Sequence, residues 1–203
     1  MRVKTQARRD AIVEAAKYVF REYGFEVASM DMIAKEFGGS KATLYNYFKS
    51  KDEIFFAVVK DTVETDFEPV FQLLKQDDEL PISSRLTQFG SEFLKMTLDS
   101  SVIAARRMVL AEIQRSDIGR LFYENGPGLV IQLIAEFLEH EISAGRFVSC
   151  DTNLAAKQFK ALLNAELHEL YQFGCIENVE KACIDDVVTR AIEAFLTIYK
   201  KPN

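Results

Sequence analysis

Between Ser40 and Lys51 the chain reads SKATLYNYFKSK. Leu44 and Phe48 stand four residues apart, the spacing of two side chains that share one face of a helix. At 100° per residue, a helix that turns this pair inward puts Ala42 and Asn46 on its opposite side, flanked by Thr43 and Tyr45. That outer face is small and polar. Ala42 permits close approach to a surface, Thr43 and Asn46 carry donors and acceptors suited to base edges, and Lys41, Tyr45, Tyr47 and Lys51 can reach phosphate oxygens. This is the chemistry of a helix entering a major groove. The same spacing also suits a short helical unit that never touches nucleic acid, with its tyrosines used for packing.

Such a face needs a scaffold, and the preceding residues supply one. Ile12, Ala15, Ala16, Val19, Phe20 and Tyr23 recur at steps of three and four, which predicts an amphipathic helix ended by a left-handed cap at Gly24. Ser29 then caps a second helix whose buried side is Met32, Ile33 and Phe37, and Gly38-Gly39 end it after about two turns. Ser40 caps the third helix at once. Three helices in under fifty residues, the last two joined by a glycine turn, make a helix-turn-helix.

Charge divides along the same line. Residues 1–51 hold ten Lys and Arg against six Asp and Glu, a net of +4. The remainder holds 15 against 25, a net of −10, within an overall charge of −6. A basic head can displace counterions from a phosphate backbone, whereas an acidic body is repelled by it.

Residues 20–55, FREYGFEVASMDMIAKEFGGSKATLYNYFKSKDEIF, resemble the N-terminal domain of TetR-family regulators. The resemblance lies in the glycine turn, the short helix containing Ile-Ala, the serine-capped helix ending Leu-Tyr-x-x-Phe, and the Ser-Lys-Asp start of a fourth helix. It implies an all-α protein with an N-terminal three-helix helix-turn-helix domain over residues 1–50. A helical bundle for ligand binding and dimerisation would span residues 51–203. It implies contacts to double-stranded DNA from Ser29, Lys41, Ala42, Thr43, Tyr45, Asn46, Tyr47 and Lys51. Gly39 departs from the pattern, which commonly has Val before the capping serine, and a glycine there predicts a loose turn.

Beyond Lys51 the helical period continues, with a long helix broken or kinked at Pro69 and further helices near 82–98, 101–115, 118–124, 127–144, 151–172 and 184–199. Residues 105–147 resemble the effector-binding region of AcrR-like members of the family. This implies a small-molecule pocket to which Phe93, Met96, Arg107, Met108, Phe122 and Tyr123 contribute. Arg107 has an equally simple role in an ion pair with a neighbouring acid such as Glu112, and each phenylalanine in plain core packing. Broad apolar stripes at Leu154, Phe159, Leu162, Leu163, Leu167 and Leu170, and at Val187, Val188, Ala191, Ile192, Phe195, Leu196 and Ile198, predict either an association surface or completion of a monomer's core. The family forms homodimers through this pair of helices, so a palindromic operator is expected, with an effector releasing the repressor.

Other classes find little footing. Cys150, Cys175 and Cys183 are odd in number and lack a Cys-x-x-Cys pair, and His140 and His168 lack a metal-sharing pattern, so no disulfide framework, metal or other cofactor is expected. There is no glycine-rich phosphate loop or Gly-x-Ser-x-Gly elbow, which argues against an enzyme. The MRVKTQARRD start has no apolar core of a signal peptide and no apolar run is long enough to span a bilayer, giving the expectation of a cytoplasmic protein with no membrane partner.

Overall fold

The computed structural model describes residues 5–62, 65, 68–75, 80–113, 117–176 and 180–202, with the side chains of residues 101, 104, 108, 111, 112, 118, 181 and 182 outside the description. The described chain is helical, with no strand and a single isolated antiparallel bridge between Phe147 and Lys200. The helices are α1 (Gln6–Val27), α2 (Met30–Glu36), α3 (Lys41–Tyr47), α4 (Lys51–Thr62), α5 (Glu68–Lys75), α6 (Ile82–Thr97), α7 (Ser100–Glu112), α8 (Ile118–Asn125), α9 (Pro127–Ser143), α10 (Thr152–Asn164), α11 (His168–Gln172) and α12 (Lys181–Tyr199). They form two compact units, residues 1–65 with 104–126, and residues 66–103 with 127–203. This division follows packing and differs from the functional boundary expected at residue 50, because α4, α8 and most of α7 group with the N-terminal helices.

In the first unit, α1 breaks at Gly24, whose φ of 71° is open to glycine at little cost. Ile12, Ala16, Ile33, Leu44, Phe48 and Ile54 are all but inaccessible to solvent and form one core beneath α1–α4. Fully burying a side chain of this size contributes about 1.5–3 kcal/mol, so this cluster is the main support of α2 and α3, which are too short to persist alone. A second cluster, Phe25, Phe55 and Val109, joins α1, α4 and α7 and is flanked by Phe20 and Phe122.

In the second unit, aromatic rings continue from helix to helix. Phe71 of α5 meets Phe89 of α6 at 5.3 Å, Phe89 meets Phe159 of α10 at 6.0 Å, and Phe159 meets Phe195 of α12 at 4.7 Å. Gly90 lets these helices close up, since a Cβ there would lie 2.9 Å from Val188 Cγ1 and 3.0 Å from Leu163 Cδ2. Glu141 is completely buried, receiving Arg85 at 3.3 Å and both the Nε and Nη2 groups of Arg146. Arg85 also donates to the Leu74 carbonyl at the end of α5 and lies over the Phe137 ring.

Pro69 sits in the first turn of α5, where a missing amide proton costs nothing, and one expected element differs. The helix expected over 151–172 is two, α10 and α11, and Glu166 in the intervening turn receives two hydrogen bonds from Arg190 of α12, at 2.9 and 2.6 Å.

Candidate nucleic-acid interface

The turn between α2 and α3 is closed by its backbone. Gly39 N–H donates to Ala34 O at 3.0 Å and Gly38 N–H to Lys35 O at 3.1 Å, the paired bonds of a Schellman cap, with Gly38 at φ 72°. The loose turn expected from Gly39 is therefore corrected. A Cβ at this position would lie 2.6 Å from Phe37 Cε1, so the glycine makes room for the Phe37 ring to fold over the turn.

Both serine caps form. Ser29 Oγ accepts from Met32 N–H at 3.2 Å, and Ser40 Oγ accepts from Thr43 N–H at 3.1 Å. Leu44 and Phe48 are buried, and the Arg9 guanidinium covers the Phe48 ring at 5.0 Å. The opposite side of α3 is exposed as the spacing predicts: Lys41, Ala42, Tyr45 and Asn46 all reach solvent, Tyr45 at 48%. Thr43 is half-buried and its hydroxyl is 2.9 Å from Ser40 Oγ, inside the cap.

Three of the basic and aromatic candidates have partners within the protein. Lys41 Nζ donates to Asp31 Oδ2 at 2.8 Å, and this hydrogen bond, with the charge beside it, raises the lysine above its usual pKa. Tyr47 is half-buried, and its hydroxyl accepts from Thr5 N–H at 3.2 Å, fixing the start of α1. Lys51 requires the largest correction. Its ammonium donates to Phe25 O at 2.5 Å, Ala28 O at 2.9 Å and Glu26 O at 3.4 Å, and sits 4.2 Å from the centre of the Phe25 ring. Three protons meet three carbonyls, so Lys51 caps the C-terminal end of α1 and is not a ready phosphate donor. Sequence spacing placed it at the edge of the basic face but carried no sign of the carbonyls folding back from residues 25–28. Glu53, which the sequence did not single out, accepts from Lys49 N–H while its own N–H donates to Ser50 Oγ at 3.1 Å, a relative of the capping box that orders the start of α4.

The effector candidates fall in different places. Phe93 is fully buried and stacked on Phe89 at 5.6 Å, and Met96 is half-buried on the same helix. Phe122 is half-buried and stacked on Phe55 at 6.5 Å, while Arg107 and Tyr123 are exposed. The Met108 side chain lies outside the described residues. A groove between α5, α6 and α12, lined by Leu73, Thr87, Gln88, Ser91 and Asp185 among others, contains none of the six.

Most of the expected association residues are corrected to core. Phe159, Leu163, Leu167, Val188, Ile192 and Phe195 are buried within the single chain. α10 packs against α6, α9 and α12 together, so most of its apolar stripe is covered by its own protomer. Leu154 and Leu170 remain exposed and Leu162 half-buried; Ile198, on the second stripe, is also exposed, and the sequence reading missed Phe173, which is 79% exposed. Among the described residues, no helix is long and apolar enough to cross a membrane.

This arrangement, a capped short helix α2 and a solvent-facing α3 sharing one core with α1 and α4, is a helix-turn-helix. Residues 12–58 match the model of bacterial regulatory proteins of the tetR family, and residues 84–201 match the C-terminal domain of AefR-like transcriptional repressors. The chain belongs to the TetR family of transcriptional regulators. It is 25% identical over 177 residues to the regulator SrpR of Pseudomonas putida, covering 82% of this chain and 76% of that relative. Among solved structures, the flavonoid-responsive regulator FrrA is similar at 30% identity and a TM-score of 0.71, covering 98% of this chain and all of FrrA. A chain from Mesorhizobium loti MAFF303099 assigned to the same family shares the fold at a TM-score of 0.87 and 24% identity, covering 98% of this chain and all of that one.

Proposed function

We propose that this TetR-family regulator is a repressor that binds a palindromic operator as a homodimer and is released by a small organic effector. The observation that carries the DNA-reading half is the exposed surface of Ala42, Tyr45 and Asn46 on a helix whose other side is locked into the core by Leu44 and Phe48. Residues 1–50 are the reading head, with Ser29, Lys41 and Thr43 beside that surface. Residues 51–203 take the effector and the second copy.

The effector half is supported by the matched AefR-like repressor domain and by FrrA, whose name describes a flavonoid-responsive regulator. The candidates for effector contacts are Phe93 and Met96 in the second unit, and Arg107, Met108, Phe122 and Tyr123 in the first. Phe55 supports a route for the signal: it contacts Phe20 and Phe25 of α1 and stacks on Phe122 of α8, so a shift of α8 is felt by α4 and by the base of the head. An effector that prefers the non-binding state by about 3 kcal/mol lowers operator affinity more than a hundredfold. Dimerisation is assigned to Leu154, Leu162 and Leu170, together with the exposed Ile198 and Phe173. The protein acts in the cytoplasm, where operator DNA lies.

The test is selection of bound duplexes from a random pool, followed by gel shifts of the selected site with and without a flavonoid panel. Enrichment of a two-fold symmetric site, released by a panel member, is the expected result. Enrichment of no sequence at all overturns the reading.

A further inference from the structure

In the head, Lys41, the first residue of the exposed helix α3, forms an ion pair with Asp31, in the first turn of α2. Lys41 Nζ lies 2.8 Å from Asp31 Oδ2, and both side chains are largely exposed, at 52% and 66%. Neither is needed to fill the core, and the α2–α3 turn is already closed by its own two backbone bonds. A carboxylate thus stands where a DNA phosphate would have to stand to use this lysine.

We infer that Asp31 is a built-in competitor for the phosphate that Lys41 would take, restraining the sequence-independent part of DNA affinity. The inference rests on DNA docking through α3. When Lys41 moves from Asp31 to a phosphate, the freed carboxylate is left unpaired beside the backbone and offsets part of the lysine's charge, so the exchange releases less than one net counterion. With Asp31 neutralised, the same contact releases about one. Binding to duplex of any sequence then becomes both tighter and more salt-dependent, by a slope of at most about 0.9 in log K against log salt. At 0.1 M salt that corresponds to a gain of up to roughly eightfold. The competitor leaves discrimination to groups that touch bases, because the lysine adds little of its own.

The test uses the full chain and a random-sequence duplex, titrated with salt, for wild type, Asp31→Asn, Lys41→Met and the double variant. Circular dichroism melts accompany each, and the exposure of both groups predicts folded proteins throughout. The expected result is a steeper and tighter Asp31→Asn, with most of that gain gone when Lys41 is Met. An unchanged or weaker Asp31→Asn overturns the inference, as does an equal gain in the Lys41→Met background, which marks general repulsion. A wild type that binds steeply alongside such results leaves the DNA-reading function intact. A wild type without salt-dependent binding removes both.

Discussion

The Lys51 ammonium donates to the Ala28 carbonyl at 2.9 Å, joining the first residue of α4 to the residue that ends α1 across 23 positions of sequence. Together with the Phe25 and Glu26 carbonyls, this fixes where α4 starts relative to the head. Lys51→Met is expected to destabilise the protein by about 1.5–3 kcal/mol, the range for hydrogen bonds from a charged donor. The slope of log K against log salt should stay that of wild type. A slope reduced by about 0.9 with an unchanged melting temperature would restore Lys51 to the phosphate contacts.

Gly39→Val installs the residue commoner at this position and should destabilise the protein by about 1–3 kcal/mol, the usual cost of overpacking. The cause is the Phe37 ring, 2.6 Å from the new Cβ. Adding Phe37→Ala is therefore expected to recover part of the loss, so the two changes are non-additive in a denaturant-melt cycle.

Asn46→Ala should leave the melting temperature unchanged, because the side chain is exposed. On a selected operator it is expected to weaken binding by about 1–3 kcal/mol, the worth of a bidentate base contact, and to leave random-duplex affinity nearly untouched. An equal loss on both duplexes would make Asn46 a backbone contact.

Gly90→Ala gains about 1 kcal/mol in helix propensity but drives a methyl against Val188 and Leu163, both buried. The expected sum is a net destabilisation, read as a lower denaturation midpoint. A rise would mean that α6 and α12 separate easily.

Leu154→Asp with Ile198→Asp places charges on two exposed apolar positions and should shift the assembly from dimer to monomer in sedimentation at micromolar concentration. Phe195→Asp, by contrast, should unfold the second unit, because that ring is in contact with Phe159, Phe147 and Tyr199.

The head was legible in the sequence because its rules are local. Gly24, Ser29, Gly38 and Ser40 each act within four residues, and the Leu44/Phe48 pair sets the orientation of α3 by periodicity alone. What escaped was non-local. Nothing near Lys51 announces carbonyls at 25–28, and nothing near Lys41 announces Asp31. In the body, the stripe at Phe159, Leu163 and Phe195 was read correctly as apolar, but a stripe does not say whether its cover comes from the same chain or another. The absence of proline and glycine between Asn164 and His168 similarly hid the break between α10 and α11.

The stack of Phe122 on Phe55 bears on how such regulators can be recombined. Residues 104–126 complete the hydrophobic base on which the first four helices rest, so the reading head is not a cassette that can be cut at residue 50. A chimera that grafts only the N-terminal segment onto a foreign body would leave Phe25 and Phe20 without the ring at 55 and its neighbours at 109 and 122. Transplanting this DNA specificity into another sensor therefore calls for exchanging surface residues of α3, not for splicing segments.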